Sequence, residues 1–249
     1  MESAVKIVEI EGVSLLSPVV IEGLPDVGLV GVIGTLHLAE SLKLVEIAHL
    51  ESNLFPPVMV MHKGMLVDPV RILGNQEMVV VTSEIAIPPR AIYPLAEELV
   101  DWIKEKGARL VISLTGIPEP NRLEIEKPLV FGVGNSPFSM SLLKDNQVEV
   151  MEEGFIAGIY ALVMKQCLKR NIPSLTLMVQ AFPNLPDPGA AAIVLEILNK
   201  VLKINVGVEE LLEKADEIRV KGRDLMKQTG SSMQEMGKMS EQEIPVMYR

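Results

Sequence analysis

Val19-Val20-Ile21-Glu22-Gly23-Leu24-Pro25-Asp26-Val27-Gly28-Leu29-Val30-Gly31 decides the fold class. A short β-branched run breaks on glycine and proline, then resumes as a longer apolar run. It predicts a strand over residues 19–21, a turn over 23–26 and a helix over 27–42, with Asp26 as the N-cap. A strand handing over directly to an apolar helix is the unit from which α/β layers are built.

The same alternation continues on both sides. Residues 5–10 and 44–50 are strand-like. Residues 55–61 and 65–73 flank His62-Lys63-Gly64, a hairpin signal with glycine in the turn. Gly74-Asn75-Gln76 makes a second turn before the strand 77–82. A helix is expected from about Tyr93, with Pro94 at its first position, where the missing N–H costs little, and with Gly107 closing it. Residues 110–114, 128–133 and 174–181 are continuous apolar runs, as strands covered on both faces require. Residues 154–168 form an apolar helix, and Asp187-Pro188 opens another that runs through Leu202. The prediction is a three-layer α/β sandwich with a mixed sheet. The hairpin at Gly64 is antiparallel, and the strands joined by helices are parallel.

One domain is expected over residues 1–205. Over 206–229, Val208, Leu211, Leu212, Ala215, Ile218 and Leu225 share one face and a run of charges the other, giving an amphipathic helix. Residues 230–249 are polar, aperiodic and rich in Gly, Ser and Met, and read as a flexible tail.

Composition excludes several functions. The chain has 33 acidic and 23 basic residues and a net charge of −10, which opposes the phosphate contacts of nucleic-acid binding. The lone cysteine, Cys167, rules out a disulfide framework and a cysteine-based zinc site; its apolar helical setting reads as a core thiol. No basic leader followed by an apolar stretch opens the chain, and no uncharged apolar run has the length of a membrane span. The cytoplasm is the expected location.

Catalytic signatures are missing from the pattern. Gly28, Gly31 and Gly34 are spaced G-x-x-G-x-x-G. That spacing fits either close approach of a helix to another backbone or, less well beside Asp26, an anion at a helix N-terminus. No G-x-x-x-x-G-K-[ST] loop and no G-x-S-x-G elbow occur. His37, His49 and His62 fall on separate elements without metal-ligand spacing. No catalytic, cofactor-binding or metal-binding residue is therefore assigned. Thr82-Ser83-Glu84, residues 113–118 and residues 180–183 follow strands, so a pocket at the strand carboxyl ends is conceivable.

The chain ends in Ile244-Pro245-Val246-Met247-Tyr248-Arg249. Apolar and aromatic groups after a polar tether are either a frayed end or a docking motif, in which tyrosine is a common anchor.

Residues 20–31 resemble the opening signature of the proteasome assembly chaperone family. Ile87-Pro88-Pro89-Arg90, Leu114-Thr115-Gly116, Gly132-Val133-Gly134-Asn135 and Phe182-Pro183-Asn184-Leu185-Pro186-Asp187-Pro188 look like its archaeal members. The resemblance spans roughly residues 5–205. It implies a fold related to the purine nucleoside phosphorylases and a non-enzymatic, ATP-independent role in assembling or activating the archaeal 20S proteasome. It also implies a homo-oligomer, a tetramer before a pentamer. Met247-Tyr248-Arg249 matches the hydrophobic–tyrosine–any-residue motif. By that resemblance Met247 and Tyr248 enter a pocket between α-subunits and the Arg249 carboxylate pairs with a lysine there. The alternative is an enzyme or ligand-binding protein using a phosphorylase-like pocket at the strand ends.

Overall fold

The computed structural model describes residues 4–10 and 12–243. Met247, Tyr248 and Arg249 lie outside the described residues.

In chain order the elements are β1 (Lys6–Glu9), β2 (Val19–Gly23), a 3-10 turn (Val27–Leu29), α1 (Val30–Ser41), β3 (Val45–Glu51), β4 (Val60–His62), β5 (Met65–Val67), β6 (Val70–Gly74) and β7 (Met78–Ser83). They continue with α2 (Pro89–Glu105), β8 (Leu110–Pro118), β9 (Val130–Gly134), α3 (Pro137–Asp145), β10 (Glu149–Val150), α4 (Gly158–Lys169), β11 (Ser174–Ala181), α5 (Pro188–Leu202), α6 (Glu209–Glu213) and α7 (Ala215–Glu243). A nine-stranded sheet takes the order β1-β3-β6-β7-β2-β8-β11-β9-β10, and β4 and β5 form a separate two-stranded sheet.

The sheet is mixed, as expected, but not through the hairpin at Gly64: that hairpin forms the separate sheet, and the strand expected over 65–73 is split into β5 and β6. β7, β2, β8 and β11 run parallel at its centre. The β1–β3–β6–β7 flank and the β11–β9 pair are antiparallel. Side chains alternate across a strand, and the buried residues sort accordingly. Val19, Ile21, Ile112, Leu175 and Leu177 join one core with residues of α1 and α5. Val20, Val79, Val81 and Val111 join the other with residues of α2 and α4. These are the three layers that the sequence predicts.

The helix starts differ from the sequence reading in two places. Asp26 does not cap a helix from residue 27. Gly28 and Leu29 take left-handed backbone conformations (φ 64° and 49°), so α1 begins only at Val30 with Leu29 before it. That displaces Asp26 from the first turn of α1, and its carboxylate instead accepts from the Thr115 hydroxyl at 2.6 Å. α2 starts at Pro89, with Pro94 inside the helix. Ala91, Ile92, Leu95 and Ala96 are buried there, and that burial outweighs the one hydrogen bond that an early internal proline forfeits. Asp187 does cap α5, accepting from the Ala190 N–H at 2.9 Å with Pro188 first in the helix.

The C-terminal segment departs most from expectation. The amphipathic helix is two helices, α6 and α7, and α7 runs through Gly230 to Glu243 where a flexible tail is predicted from 230. Each internal glycine costs about 1 kcal/mol of helix propensity, but α7 does not stand alone. Met226 and Thr229 are buried, Met233 packs on the core that holds α1 and α5, and Met236 packs on the core that holds α2 and α4. The helix crosses the end of the sheet and touches both layers.

Candidate functional site

The carboxyl ends of β2, β7 and β8 converge under α7 and enclose a cavity of about 720 Å3. Asp26 and Thr115 lie at its polar end. Ile87, Ile92 and Met178 line its walls, and Met233 and Met236 lie on the α7 side. This is the strand-end position that the sequence points to, closed by a helix that it does not predict.

Its electrostatics follow from burial. Burial pushes the Asp26 carboxyl up, opposed by the Thr115 hydroxyl and the Val27 backbone N–H. Behind Asp26, Glu22 is fully buried on β2 and accepts from Ser113 at 2.6 Å. Burial pushes the Glu22 carboxyl up to about 7, against the Ser113 hydroxyl and with help from Asp26. Among the described residues its second oxygen, like the hydroxyls of Ser174 and Thr176 on β11, finds no hydrogen-bond partner. Tyr160 on α4 donates to the Leu24 carbonyl at 2.6 Å and closes the polar strip. Burial also raises Cys167 to about 12, which makes it the inert core thiol that the sequence suggests.

Among the described residues the lining of the cavity holds one carboxyl and several hydroxyls but no lysine, arginine or histidine. A phosphorylase-like pocket needs cationic or backbone donors for its phosphate, and the one acid at the polar end of this cavity, Asp26, disfavours that anion.

Glu22 predicts a pH dependence. A carboxyl whose folded value exceeds its unfolded one binds more protons when folded, so its contribution to stability is complete below pH 4.5 and is lost as pH rises to about 7. That interval corresponds to roughly 3 kcal/mol. Glu22→Gln should remove this decline, leaving the variant more stable than the wild type at pH 8. Urea unfolding between pH 4.5 and 9 measures it, and parallel curves would refute the assignment.

The family-like motif around residues 182–188 has a structural role. Asp187 accepts from Arg122 Nε at 2.8 Å and from the Phe182 N–H at 3.2 Å, and its own N–H donates to the Gly28 carbonyl at 2.8 Å. The Arg122 guanidinium lies 5.4 Å from the Phe182 ring centre. The buried ion pair thus ties the β11–α5 loop to the loop after β8, and the Asp187 backbone bond ties it to the turn before α1.

The histidines remain apart, and each has a neighbour. His37 Nε2 lies 2.6 Å from the Gly207 carbonyl oxygen, and His62 lies 2.7 Å from Glu84. His49 gathers Glu46 and Asp68 on the flank of the sheet, with possible ligand atoms within 4.8 Å of one another. Pairing of β3 with β6 brings Asp68, just before β6, beside His49 and creates that cluster. All three residues are partly exposed, as acidic groups without an ion commonly are. Among the described residues no helix is long and apolar enough to cross a membrane.

Comparison with known proteins places this arrangement. Residues 20–226 match the family model described as PAC2. An uncharacterized protein of Methanocaldococcus jannaschii is 31% identical over 228 residues, 92% of this chain and 93% of that one. Pyrococcus furiosus PbaA, described as an archaeal homolog of proteasome-assembly chaperone, is 31% identical with a TM-score of 0.85, over 92% of this chain and 99% of that one. Pyrococcus furiosus PbaB, described as an archaeal proteasome activator, shares the fold at 24% identity with a TM-score of 0.75, over 90% and 99% of the two chains.

Proposed function

The chain belongs to the PAC2 family, and from that premise we propose that it is an ATP-independent assembly chaperone and activator of the 20S proteasome, acting through its C-terminal residues. The carrying observation is the likeness to PbaA over nearly the whole of both chains. In this reading Met247 and Tyr248 enter a pocket between α-subunits and the Arg249 carboxylate pairs with a lysine there. The protein works in the cytoplasm as a homo-oligomer that presents several tails to one ring, with a tetramer favoured over a pentamer.

The course of α7 shapes that mechanism. A tail tethered from residue 230 would search a wide volume. With α7 helical to Glu243, only six residues follow, about 20 Å of chain at full extension. The span from Gly237, where α7 borders the cavity, to Glu243 adds about 9 Å of helix. The reach of the motif is thus set by where α7 leaves the domain, which raises its effective concentration at a matching pocket and lowers it elsewhere.

Deletion of residues 244–249 tests the proposal. The truncated protein should keep its fold and lose co-sedimentation with purified 20S proteasome. Undiminished binding would move the function onto the domain surface.

A further inference from the structure

The β4–β5 hairpin stands apart from the main sheet. Among the described residues its strands pair with each other alone, Val60 with Val67, Met61 with Leu66 and His62 with Met65, around Lys63 and Gly64 at positive φ. Cross-strand partners share a face and neighbours along a strand do not. His62 reaches back to Glu84 at 2.7 Å, and Arg71 bonds the same carboxylate at 2.5 Å, so the face carrying His62 turns toward the body. Met61 and Leu66 are on the opposite face. They are 69% and 66% exposed, and Met59, Met65 and Val58 beside them are exposed as well.

A two-stranded ribbon is marginally stable alone in water, and this one presents large apolar groups outward. Met61 and Leu66 form the outward face, while Met65, the cross-strand partner of His62, lies on the other. At the base of the hairpin runs a groove of about 860 Å3, lined by Phe55, Pro57 and Met59 among apolar residues and by two acids, Glu51 and Asp68, against one base, Lys6.

We propose that the β4–β5 hairpin is an arm that seats in the groove at the hairpin base of a second copy of this chain. Charge selects that occupant. Residues 53–67 carry a single formal charge, Lys63 at the tip, in a chain of net charge −10. Two copies repel over most of their surface and least along this segment. The Lys63 tip meets the carboxylates of Glu51 and Asp68 on the same chain type, while Met61 and Leu66 meet Phe55, Pro57 and Met59. Arm and receptor belong to every copy, so the contact closes either reciprocally in a pair or head to tail around a ring. The inference rests on the homo-oligomer of the proposed function and supplies its contact. It does not depend on the tail.

Sedimentation velocity of the full chain at tens of micromolar tests it. The wild type should sediment as an oligomer of the 27.3 kDa chain. Met61→Glu/Leu66→Glu should lower the mass at least twofold with an unchanged circular dichroism spectrum, since both side chains face outward. Lys63→Glu or Asp68→Lys alone should raise the dissociation constant roughly 10-fold by setting like charges together, and the two together should restore it, because the double swap recreates an opposite-charge pair. A monomeric wild type would overturn self-association and the contact together. Natively folded variants that keep the wild-type mass, or a double swap that fails to restore it, would overturn the contact alone, leaving proteasome docking to be judged by its own experiment.

Discussion

Tyr248→Ala should weaken binding to the 20S proteasome by roughly 30-fold for each engaged tail. The motivation is the hydrophobic–tyrosine–any-residue ending on a PAC2 family chain. Truncating an aromatic anchor that is desolvated in a pocket costs about 2 kcal/mol or more, and each 1.4 kcal/mol is tenfold. Tails on one oligomer act together, because each later tail docks at an effective concentration set by its short segment. Two engaged tails therefore multiply the loss toward a thousandfold. One residue added after Arg249 should be nearly as damaging, since it moves the carboxylate from its lysine. Arg249→Ala should cost little, since the motif accepts any side chain there. Surface plasmon resonance on immobilised 20S particles, with peptide hydrolysis as the second readout, ranks the variants. Wild-type binding by Tyr248→Ala would reduce the C-terminus to a frayed end.

Gly31→Ala should destabilise the folded domain by on the order of 4 kcal/mol, the upper end for a single substitution, and lower the melting temperature by about 10 °C. A Cβ on Gly31 would collide with the Leu114 carbonyl of β8, and it would lie 2.8 Å from Gly23 Cα and 3.1 Å from the Tyr160 hydroxyl. The first two obstacles are backbone at the sheet centre, so α1 must lift from β2 and β8 and open the core on that face. Gly23→Ala meets the same contact from the other side, against the Gly31 carbonyl and 2.6 Å from Thr35 Cγ2, and should cost as much. Gly34→Ala is the internal control. Its Cβ would sit 3.5 Å from Leu114 Cδ1, an ordinary contact, so the gain in helix propensity should leave stability unchanged or slightly higher. Urea titrations of the three variants measure the contrast, and equal midpoints would show that α1 does not rest on the strands through Gly31.

The glycine spacing illustrates how far a pattern reaches. G-x-x-G-x-x-G signals close approach, yet its three members do three different things. Gly28 supplies a left-handed turn outside the helix, Gly31 makes the close approach and Gly34 has room to spare. The pattern cannot separate them, because the approach depends on where β8 passes.

The layers and the central buried strands are written in the chain, because they follow from local period and from which runs are apolar on both faces. The strand predicted over residues 174–181 is the observed β11, and the Asp187-Pro188 helix start is observed too. These signals need no distant partner. The family is also legible in the sequence, since its motifs include the turn before α1 and the loop that Asp187 locks.

Only the tertiary structure decided the rest. Residues 230–243 have the composition of a flexible segment, and they are helical because Met226, Thr229, Met233 and Met236 find two cores across the sheet end. Asp26 reads as a cap and instead faces a cavity, because two left-handed residues postpone the helix. Glu22 reads as one acid in an apolar strand, and its raised carboxyl depends on α4 covering it. The Glu46, His49 and Asp68 cluster and the projecting hairpin likewise depend on which strands pair. In each case the deciding contact joins residues far apart in sequence, and its energy is absent from any local window.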